Sequence, residues 1–343
     1  MVEYGAMRQP RVKVAGEGFY HVVSRIGGRR FLIDDAEKGI LLGMIRAAAV
    51  FSGVELYTYA VMSNHFHLLV RVPRKQEVPD KELLRRMESL YGMPKFLKVL
   101  EKWEKWTAKK QEGRVEEEKA RLRARMYDLS QFCKTFKETY TQDYNRRHDN
   151  TGTIWEGRFK SILLEGSWRT LMTVAGYIHL NPVRAEMAAQ PERAANAGYG
   201  AACQGDARAM TGLISLVKRA YGVKETIWAQ ARAACAEAMA GALEGSISNF
   251  RSQISSFRSM PGSLEGSISN FRSQSVPSRE AEPGSFRALL RRRVPGFLHG
   301  GALGGERFLK RVAGCMPKRV RRRPASVLDG FGLRAAGGTR DAS

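Results

Sequence analysis

Hydrophobic residues alternate with polar ones in three short stretches of the first half of the chain. Residues 18–25 (GFYHVVSR), 54–62 (VELYTYAVM) and 66–72 (FHLLVRV) are rich in β-branched, aromatic and aliphatic residues, a composition typical of strands. Ser63-Asn64 separates the last two stretches and has the composition of a turn. The pattern therefore predicts one strand, followed later by a hairpin of two strands.

Helical spacing of the apolar residues occurs between and after these strands. Asp34 and Asp35 can cap a helix over about residues 36–49, where apolar positions recur every three or four residues. Residues 95–125 carry charges of mixed sign, which predicts a solvent-exposed helical hairpin. Residues 126–144 are more amphipathic, so we predict another helix there that packs on the core.

The last predicted strand of this region covers residues 153–164 (TIWEGRFKSILL), with an interruption at Gly157. It completes the order β-α-β-β-α-β, which is that of the ferredoxin-like split arrangement with helices on one sheet face. The predicted fold class is therefore α+β. It comprises a ferredoxin-like core, a helical insertion at about residues 76–125, and a mostly helical or irregular C-terminal extension.

Residues 167–181 (SWRTLMTVAGYIHLN) predict the helix that follows the last strand, because their apolar residues form one helical stripe. Tyr177 and Asn181 are four residues apart, so their side chains share one ridge beside that stripe. Pro182 follows at once and disfavours helical geometry in the residue before it. We therefore expect the helix to end at Asn181.

The charge of the chain indicates the kind of partner. It contains 57 Lys and Arg against 34 Asp and Glu, a net charge of +23, which favours nucleic acid ahead of an anionic membrane. The four cysteines are far apart and form no C-x-x-C pair, which argues against a zinc ribbon or a disulfide scaffold. No apolar run approaches the length of a membrane span. These features predict a cytoplasmic protein with no membrane partner.

Candidate metal ligands lie in the hairpin. Side chains alternate along a strand, so His65 and His67 point to one face with Cα atoms roughly 6.5–7 Å apart, close enough to share one metal ion. An H-x-H pair alone is a weak signal, so further ligands decide the question. If the helix edge with Tyr177 and Asn181 lies beside this face, two imidazoles and one amide oxygen would hold Mg²⁺ or Mn²⁺ with open coordination positions.

Such a site could break and rejoin phosphodiester bonds. The ion would polarise a backbone phosphate as a Lewis acid. Tyr177 would attack that phosphate and conserve the bond energy in a phosphotyrosine, so the strand could be rejoined without ATP. A phenol is mostly protonated at neutral pH, so the metal or a base must activate it. Simple packing at the core edge is the alternative for Tyr177, and a helix end before proline is the alternative for Asn181.

Four motifs in the order GFYHVVSR, SNHFHLLVRVP, YNRRHDNTGTIWEGRFKS and YIHLNPVRAEM resemble the single-tyrosine HUH transposases of insertion sequences. They are most similar to the REP-associated tyrosine transposases, over about residues 17–187. The resemblance implies that His65 and His67 bind the divalent metal, that Tyr177 is the nucleophile and that Asn181 completes the metal site. It also implies a ferredoxin-like fold and cleavage of single-stranded DNA near hairpins, with a 5′-phosphotyrosine and a free 3′-hydroxyl as products.

Other polar residues are candidates for weaker roles. Arg146, Arg147, Arg158 and Lys160 flank the predicted site and could grip the DNA backbone, although a solvated basic face is nearly as good an account. His21 lies on the first strand, and we interpret it as a structural histidine.

The domain organisation follows from the resemblance and from composition. The segment LEGSISNFRSQ occurs twice, at 243–253 and 264–274, in a region rich in Ser, Gly and Arg that is typical of a flexible linker. We predict an HUH tyrosine transposase catalytic domain over 1–187, a helical extension over 188–242, a repeat-containing linker over 243–283 and a basic C-terminal module or tail over 284–343.

The function predicted from the sequence is metal-dependent nicking and strand transfer of single-stranded or hairpin DNA, in DNA transposition. A replication initiator or relaxase would use the same chemistry, but the single candidate tyrosine argues against it. The alternative from another class is a non-catalytic, domesticated DNA-binding protein. Both classes predict salt-sensitive DNA binding, and only the enzyme predicts a covalent adduct. The sequence is compatible with a monomer or a homodimer.

Overall fold

The chain forms two compact units, residues 1–164 and 165–343. The computed structural model describes residues 12–244, 302–304, 306–312, 326–328 and 333–336. The predicted linker over 243–283 lies outside the described residues except for Leu243 and Glu244, which are also the first two residues of the first copy of the repeated segment. The second copy lies outside the described residues.

The first unit is built on a four-stranded antiparallel sheet. Its strands are β1 (Gly18–Arg25), β2 (Glu55–Val61), β3 (His65–Val72) and β4 (Lys160–Leu164). Their order across the sheet is β2-β3-β1-β4, and every neighbouring pair is antiparallel. This order is that of a ferredoxin-like fold, so the predicted fold class is confirmed.

Two helices connect the strands and cover one face of the sheet. They are α1 (Asp35–Ser52), between β1 and β2, and α5 (Leu129–Arg147), which precedes β4. The ring of Phe66 in β3 lies 5.5 Å from that of Phe136 in α5, measured between centroids. Arg46 of α1 donates a hydrogen bond to the hydroxyl of Tyr59, which lies on the same face as Phe66. The face that bears His65 and His67 is therefore the opposite one.

The charged insertion is helical, as predicted. It consists of α2 (Asp80–Tyr91), α3 (Met93–Ala108) and α4 (Glu112–Ala124), between β3 and α5. Its apolar residues form a cluster that includes Phe51 of α1. Phe96 and Trp103 bring α3 into this cluster, and Val115 and Leu122 bring α4 into it. The insertion is thus attached to the core through the end of α1.

The strand predicted over 153–164 is shorter than expected, since only its second half, β4, is a strand. Before β4, Trp155 forms an isolated bridge with Ile26. The backbone there is bonded to the end of β1, because the Gly27 N–H donates to the Ile154 carbonyl at 2.8 Å. The Trp155 ring is buried against Phe66, with centroids 5.7 Å apart. Residues 153–157 therefore close the end of the sheet instead of extending β4.

Glu37 joins α1 to the end of α5. The residue is 3% exposed, and its carboxylate accepts a hydrogen bond of 2.8 Å from the Tyr140 hydroxyl. It also pairs with the Arg147 guanidinium and with Nε2 of His148. Burial by itself would raise the pKa of the Glu37 carboxyl, but the hydrogen bonds from Arg147, His148 and Tyr140 outweigh it and lower the pKa to about 2. Glu37 is therefore charged in the folded protein.

We expect Glu37→Gln to lower the free energy of unfolding by about 3 kcal/mol at neutral pH, because it removes the buried carboxylate with which Arg147, His148 and Tyr140 all bond. The ordinary pKa of this carboxyl is 4.5 and its folded pKa is about 2. The stabilisation is thus complete above pH 4.5 and is lost as the pH falls towards 2. Urea unfolding at a series of acid pH values measures this loss in the wild type.

The matched control for this measurement is Glu117→Gln, at an exposed carboxylate of α4. It should leave both the stability and its dependence on pH unchanged. An acid dependence of the same size in Glu37→Gln and in the wild type would show that another group is responsible.

The second unit is mostly helical, which confirms the predicted helical extension. Among its described residues, the helices are α6 (Trp168–Arg184), α7 (Gly198–Cys203), α8 (Ala207–Tyr221), α9 (Trp228–Glu244) and α10 (Glu306–Val312). In the part of this unit that the structure describes, three short strands, β5 (Ala302–Gly304), β6 (Ser326–Leu328) and β7 (Leu333–Ala336), pair antiparallel in the order β5-β7-β6. The sequence did not indicate these strands.

The helix that carries Tyr177 packs closely on α9. A Cβ atom at Gly176 would lie 2.9 Å from the carbonyl oxygen of Ala238, so only glycine lets the two backbones approach this closely. The residue before Tyr177 thus fixes the contact between α6 and α9.

Candidate metal and tyrosine site

The sheet face opposite α1 and α5 carries the two predicted histidine ligands side by side. The rings of His65 and His67 are 5.0 Å apart between centroids, with an angle of 79° between their planes. Phe66, between them, points to the helix-covered face and is fully buried. The alternation of side chains along β3 therefore places the pair as the sequence predicted.

A hydrogen bond to the tight turn orients His65. Its Nδ1 lies 2.6 Å from Oδ1 of Asn64. An amide oxygen can only accept, so the proton is on Nδ1 and the lone pair is on Nε2. Asn64 is itself held, because its Nδ2 donates to the carbonyl oxygen of Arg29 at 3.2 Å. The hydrogen bond between His65 and Asn64 thus orients the ring so that Nε2 of His65 could bind a metal.

A third histidine orients His67. Nδ1 of His67 lies 2.9 Å from Nε2 of His21, and the two rings are stacked with centroids 5.2 Å apart. The register of β1 and β3 explains the contact, since Val23 lies opposite His67 and His21 is its diagonal neighbour on the same face. Nδ1 of His67 is thus engaged, which leaves Nε2 as the atom that could bind a metal.

Two cations lie on the same sheet face as the histidines. Arg25 is opposite His65 in the register of β1 and β3. Lys160, a predicted DNA contact, is opposite Val23, and Val23 is opposite His67. Arg25 was not predicted as a DNA contact, although the alternation in GFYHVVSR places it on the face of His21. Cations in these positions could contact the phosphates of DNA bound at the histidines.

The other predicted DNA contacts are arginines at the end of α5 and in the segment before β4. Arg147 pairs with Glu37 and with Asp143, and Arg146 pairs with Asp143 at 2.6 Å while remaining exposed. Arg158 is exposed in the segment before β4. The guanidinium of Arg147 connects α1 and α5, whereas the side chains of Arg146 and Arg158 are exposed. Their role in DNA binding stays a prediction.

In the second unit, α6 carries Tyr177 and Asn181 one turn apart, with 7% and 8% of each residue exposed. Nδ2 of Asn181 donates to the backbone carbonyl of Tyr177 at 2.8 Å, which orients the amide and leaves Oδ1 as its possible metal ligand. The Arg184 guanidinium lies over the Tyr177 ring, 5.3 Å from its centroid. Each unit therefore holds one half of the predicted site, and their meeting around one ion stays a prediction.

The predicted end of the tyrosine helix is wrong. Helix α6 continues through Pro182 to Arg184. The turn after the proline is closed by hydrogen bonds from the Ala185 N–H to the Asn181 carbonyl and from the Met187 N–H to the Pro182 carbonyl. Proline removes one donor, but its carbonyl still accepts, so the following turn keeps its bonds. Asn181 is therefore inside the helix.

The described residues limit which ligands could complete a metal site. Among them, no group of three or more His, Cys, Asp or Glu side chains could hold a metal ion. A metal at His65 and His67 would need a ligand of another kind. An amide oxygen is such a ligand, and two imidazoles with one oxygen suit Mn²⁺ or Mg²⁺.

The first unit is a ferredoxin-like domain with paired histidines on the sheet face opposite its two helices. Residues 17–92 match the family described as "Transposase IS200 like". The match begins before β1, includes both histidines of β3 and ends just after α2, and it supports the IS200-like transposase family, with transposase activity and DNA as a partner. No curated protein and no solved structure matches the chain. No helix in the described ranges is long and apolar enough to cross a membrane.

Proposed function

We propose that the protein is a metal-dependent enzyme that nicks and rejoins single-stranded DNA near hairpin or palindromic sequences during transposition. The observation that carries this proposal is the pair of oriented histidines, His65 and His67, inside the segment that matches IS200-like transposases. Asn181 is the proposed third ligand. A divalent metal bound there would withdraw electrons from the scissile phosphate and offset its charge.

Tyr177 is the proposed nucleophile. Its hydroxyl oxygen attacks phosphorus and loses its proton, the bond from phosphorus to the 3′-oxygen breaks, and that oxygen takes up a proton. The phosphate stays on the tyrosine as a 5′-phosphotyrosine. In the reverse step, a 3′-hydroxyl attacks this phosphotyrosine, forms a new phosphodiester and releases the tyrosine. Arg184, beside the ring, could hold the phosphate near the hydroxyl.

The test incubates the full chain with a hairpin that has single-stranded flanks, in the presence of Mn²⁺ or Mg²⁺. The proposal predicts a protein band that keeps the DNA label after denaturation and is absent with EDTA. Protein that binds the hairpin and never forms the adduct would instead be the non-catalytic DNA-binding protein of the alternative reading.

His21 is proposed as a positioning residue for His67. Partners that hold the second nitrogen of a metal-ligating histidine change metal affinity by about 10–100-fold when removed. We therefore expect His21→Phe to weaken Mn²⁺ binding by about 10-fold or more in calorimetry. His21→Gln should restore part of the affinity, because its amide can still bond to Nδ1 of His67.

Circular dichroism of both His21 variants is the control for folding, since the side chain is fully buried. A folded His21→Phe variant with the Mn²⁺ affinity of the wild type would mean that the contact with His67 serves packing alone.

A further inference from the structure

The loop after β1 carries an aromatic side chain that is almost fully in solvent. Phe31 is 78% exposed, the largest value among the exposed large hydrophobic residues of the described part of the chain. It follows Arg29 and Arg30, which are also exposed. Single exposed apolar residues are common on proteins, so exposure alone says little. The hydrogen bonds and the backbone conformation around Phe31 indicate that its exposure has a function.

Hydrogen bonds hold the loop against the turn that precedes His65. The Ile26 N–H donates to the Asn64 carbonyl at 2.9 Å, and the Ile33 N–H donates to the Ser63 carbonyl at 3.0 Å. Between them, the Asn64 side chain bonds to the carbonyl of Arg29. The same Asn64 side chain bonds to His65. One residue thus connects the loop with a proposed metal ligand.

The backbone of the loop is strained where it turns. Gly28 and Arg29 have φ values of 64° and 56°, in the left-handed region. Glycine adopts this conformation readily, but arginine does so rarely and at some cost. Strain of this kind persists where the surrounding structure holds the chain, and it occurs often at binding sites. The hydrogen bond from the Asn64 side chain to the Arg29 carbonyl keeps the backbone in this conformation.

We propose that residues 29–31 form a stacking loop that binds an unpaired nucleotide next to the phosphate at the histidines. Phe31 would stack on the base, and Arg29 and Arg30 would contact the adjoining phosphates. An aromatic ring beside cations fits single-stranded DNA, whose bases expose their faces and whose backbone is anionic. The inference rests on the proposed function, since it places the ligand at the same site.

The experiment measures fluorescence anisotropy of the full chain with a labelled hairpin that has an unpaired tail. Stacking of a base on an aromatic ring increases the affinity for DNA, so Phe31→Ala should weaken binding by about 10-fold. Phe31→Tyr keeps an aromatic ring and should bind with the affinity of the wild type. The same hairpin with abasic tail positions should bind wild type and Phe31→Ala equally. The matched control is Leu97→Ala, at an exposed apolar residue of α3, which should not change the affinity.

Several results would overturn the stacking loop. One is equal affinity of wild type and Phe31→Ala for the tailed hairpin. Another is that Phe31→Ala weakens binding of the hairpin with the abasic tail as much as binding of the hairpin with the intact tail. A change of oligomeric state in Phe31→Ala without a change of DNA affinity would show a protein interface instead.

The adduct assay separates this inference from the proposed function. If Phe31→Ala weakens binding but wild type never forms the adduct, the loop stands and the enzyme proposal fails. If wild type forms the adduct and Phe31→Ala binds normally, the enzyme proposal stands and the loop fails.

Discussion

Replacing Tyr177 with phenylalanine is expected to abolish the covalent protein–DNA adduct while DNA binding remains. The substitution removes only the hydroxyl, so packing of the ring in α6 and the contact with Arg184 are kept. The proposed intermediate forms through that oxygen, and loss of a covalent nucleophile lowers rates by about 10³-fold or more. The measurement is the denaturing gel with labelled hairpin DNA and Mn²⁺, together with anisotropy to confirm binding.

The structure also indicates which other tyrosine is a poor nucleophile. Burial, and then the hydrogen bond to Glu37, strongly raise the pKa of the Tyr140 hydroxyl, so it stays protonated. Tyr91→Phe, at the end of α2, is the control and should keep the adduct. An adduct of normal yield in Tyr177→Phe would refute the assignment, and Tyr144 would be the next candidate.

Replacing His65 with alanine is expected to remove metal binding and metal-dependent nicking together. The proposed site has only two nitrogen ligands, so losing one should weaken Mn²⁺ binding by about 100-fold or more, beyond what outer partners contribute. His65 is the better choice for this test because it is partly exposed, whereas His67 is 1% exposed and bonded to His21. Calorimetry with Mn²⁺ measures binding, and the adduct assay over a series of Mn²⁺ concentrations measures activity.

The control for His65→Ala is His148→Gln, a histidine that bonds to Glu37 at the end of α5. The His148→Gln variant should bind Mn²⁺ with the affinity of the wild type. Asn181→Ala should also weaken Mn²⁺ binding and Asn181→Asp should preserve it, because a carboxylate offers the same kind of oxygen ligand. Unchanged Mn²⁺ affinity in His65→Ala would remove the basis of the proposed metal site.

The pattern of apolar and polar residues predicted the structure well wherever a single short segment determines it. Strand β1 has the predicted bounds, and α1 and α5 lie close to theirs, because caps and periodicity act over a few residues. The pattern was a poor guide at residues 153–157, where a strand-like composition forms a bridge to Ile26 instead. It was also misleading at Pro182, where hydrogen bonds after the proline continue the helix.

The sequence by itself determined which site residues share a surface. His65 and His67 share one because strand side chains repeat every two residues, and Tyr177 and Asn181 share one because helix neighbours are four residues apart. Only the tertiary structure decided that His21 bonds to His67, that Arg25 and Lys160 join their face, and that Glu37 holds Arg147. Those contacts depend on strand register and helix packing between segments far apart in the chain, and no local period encodes them.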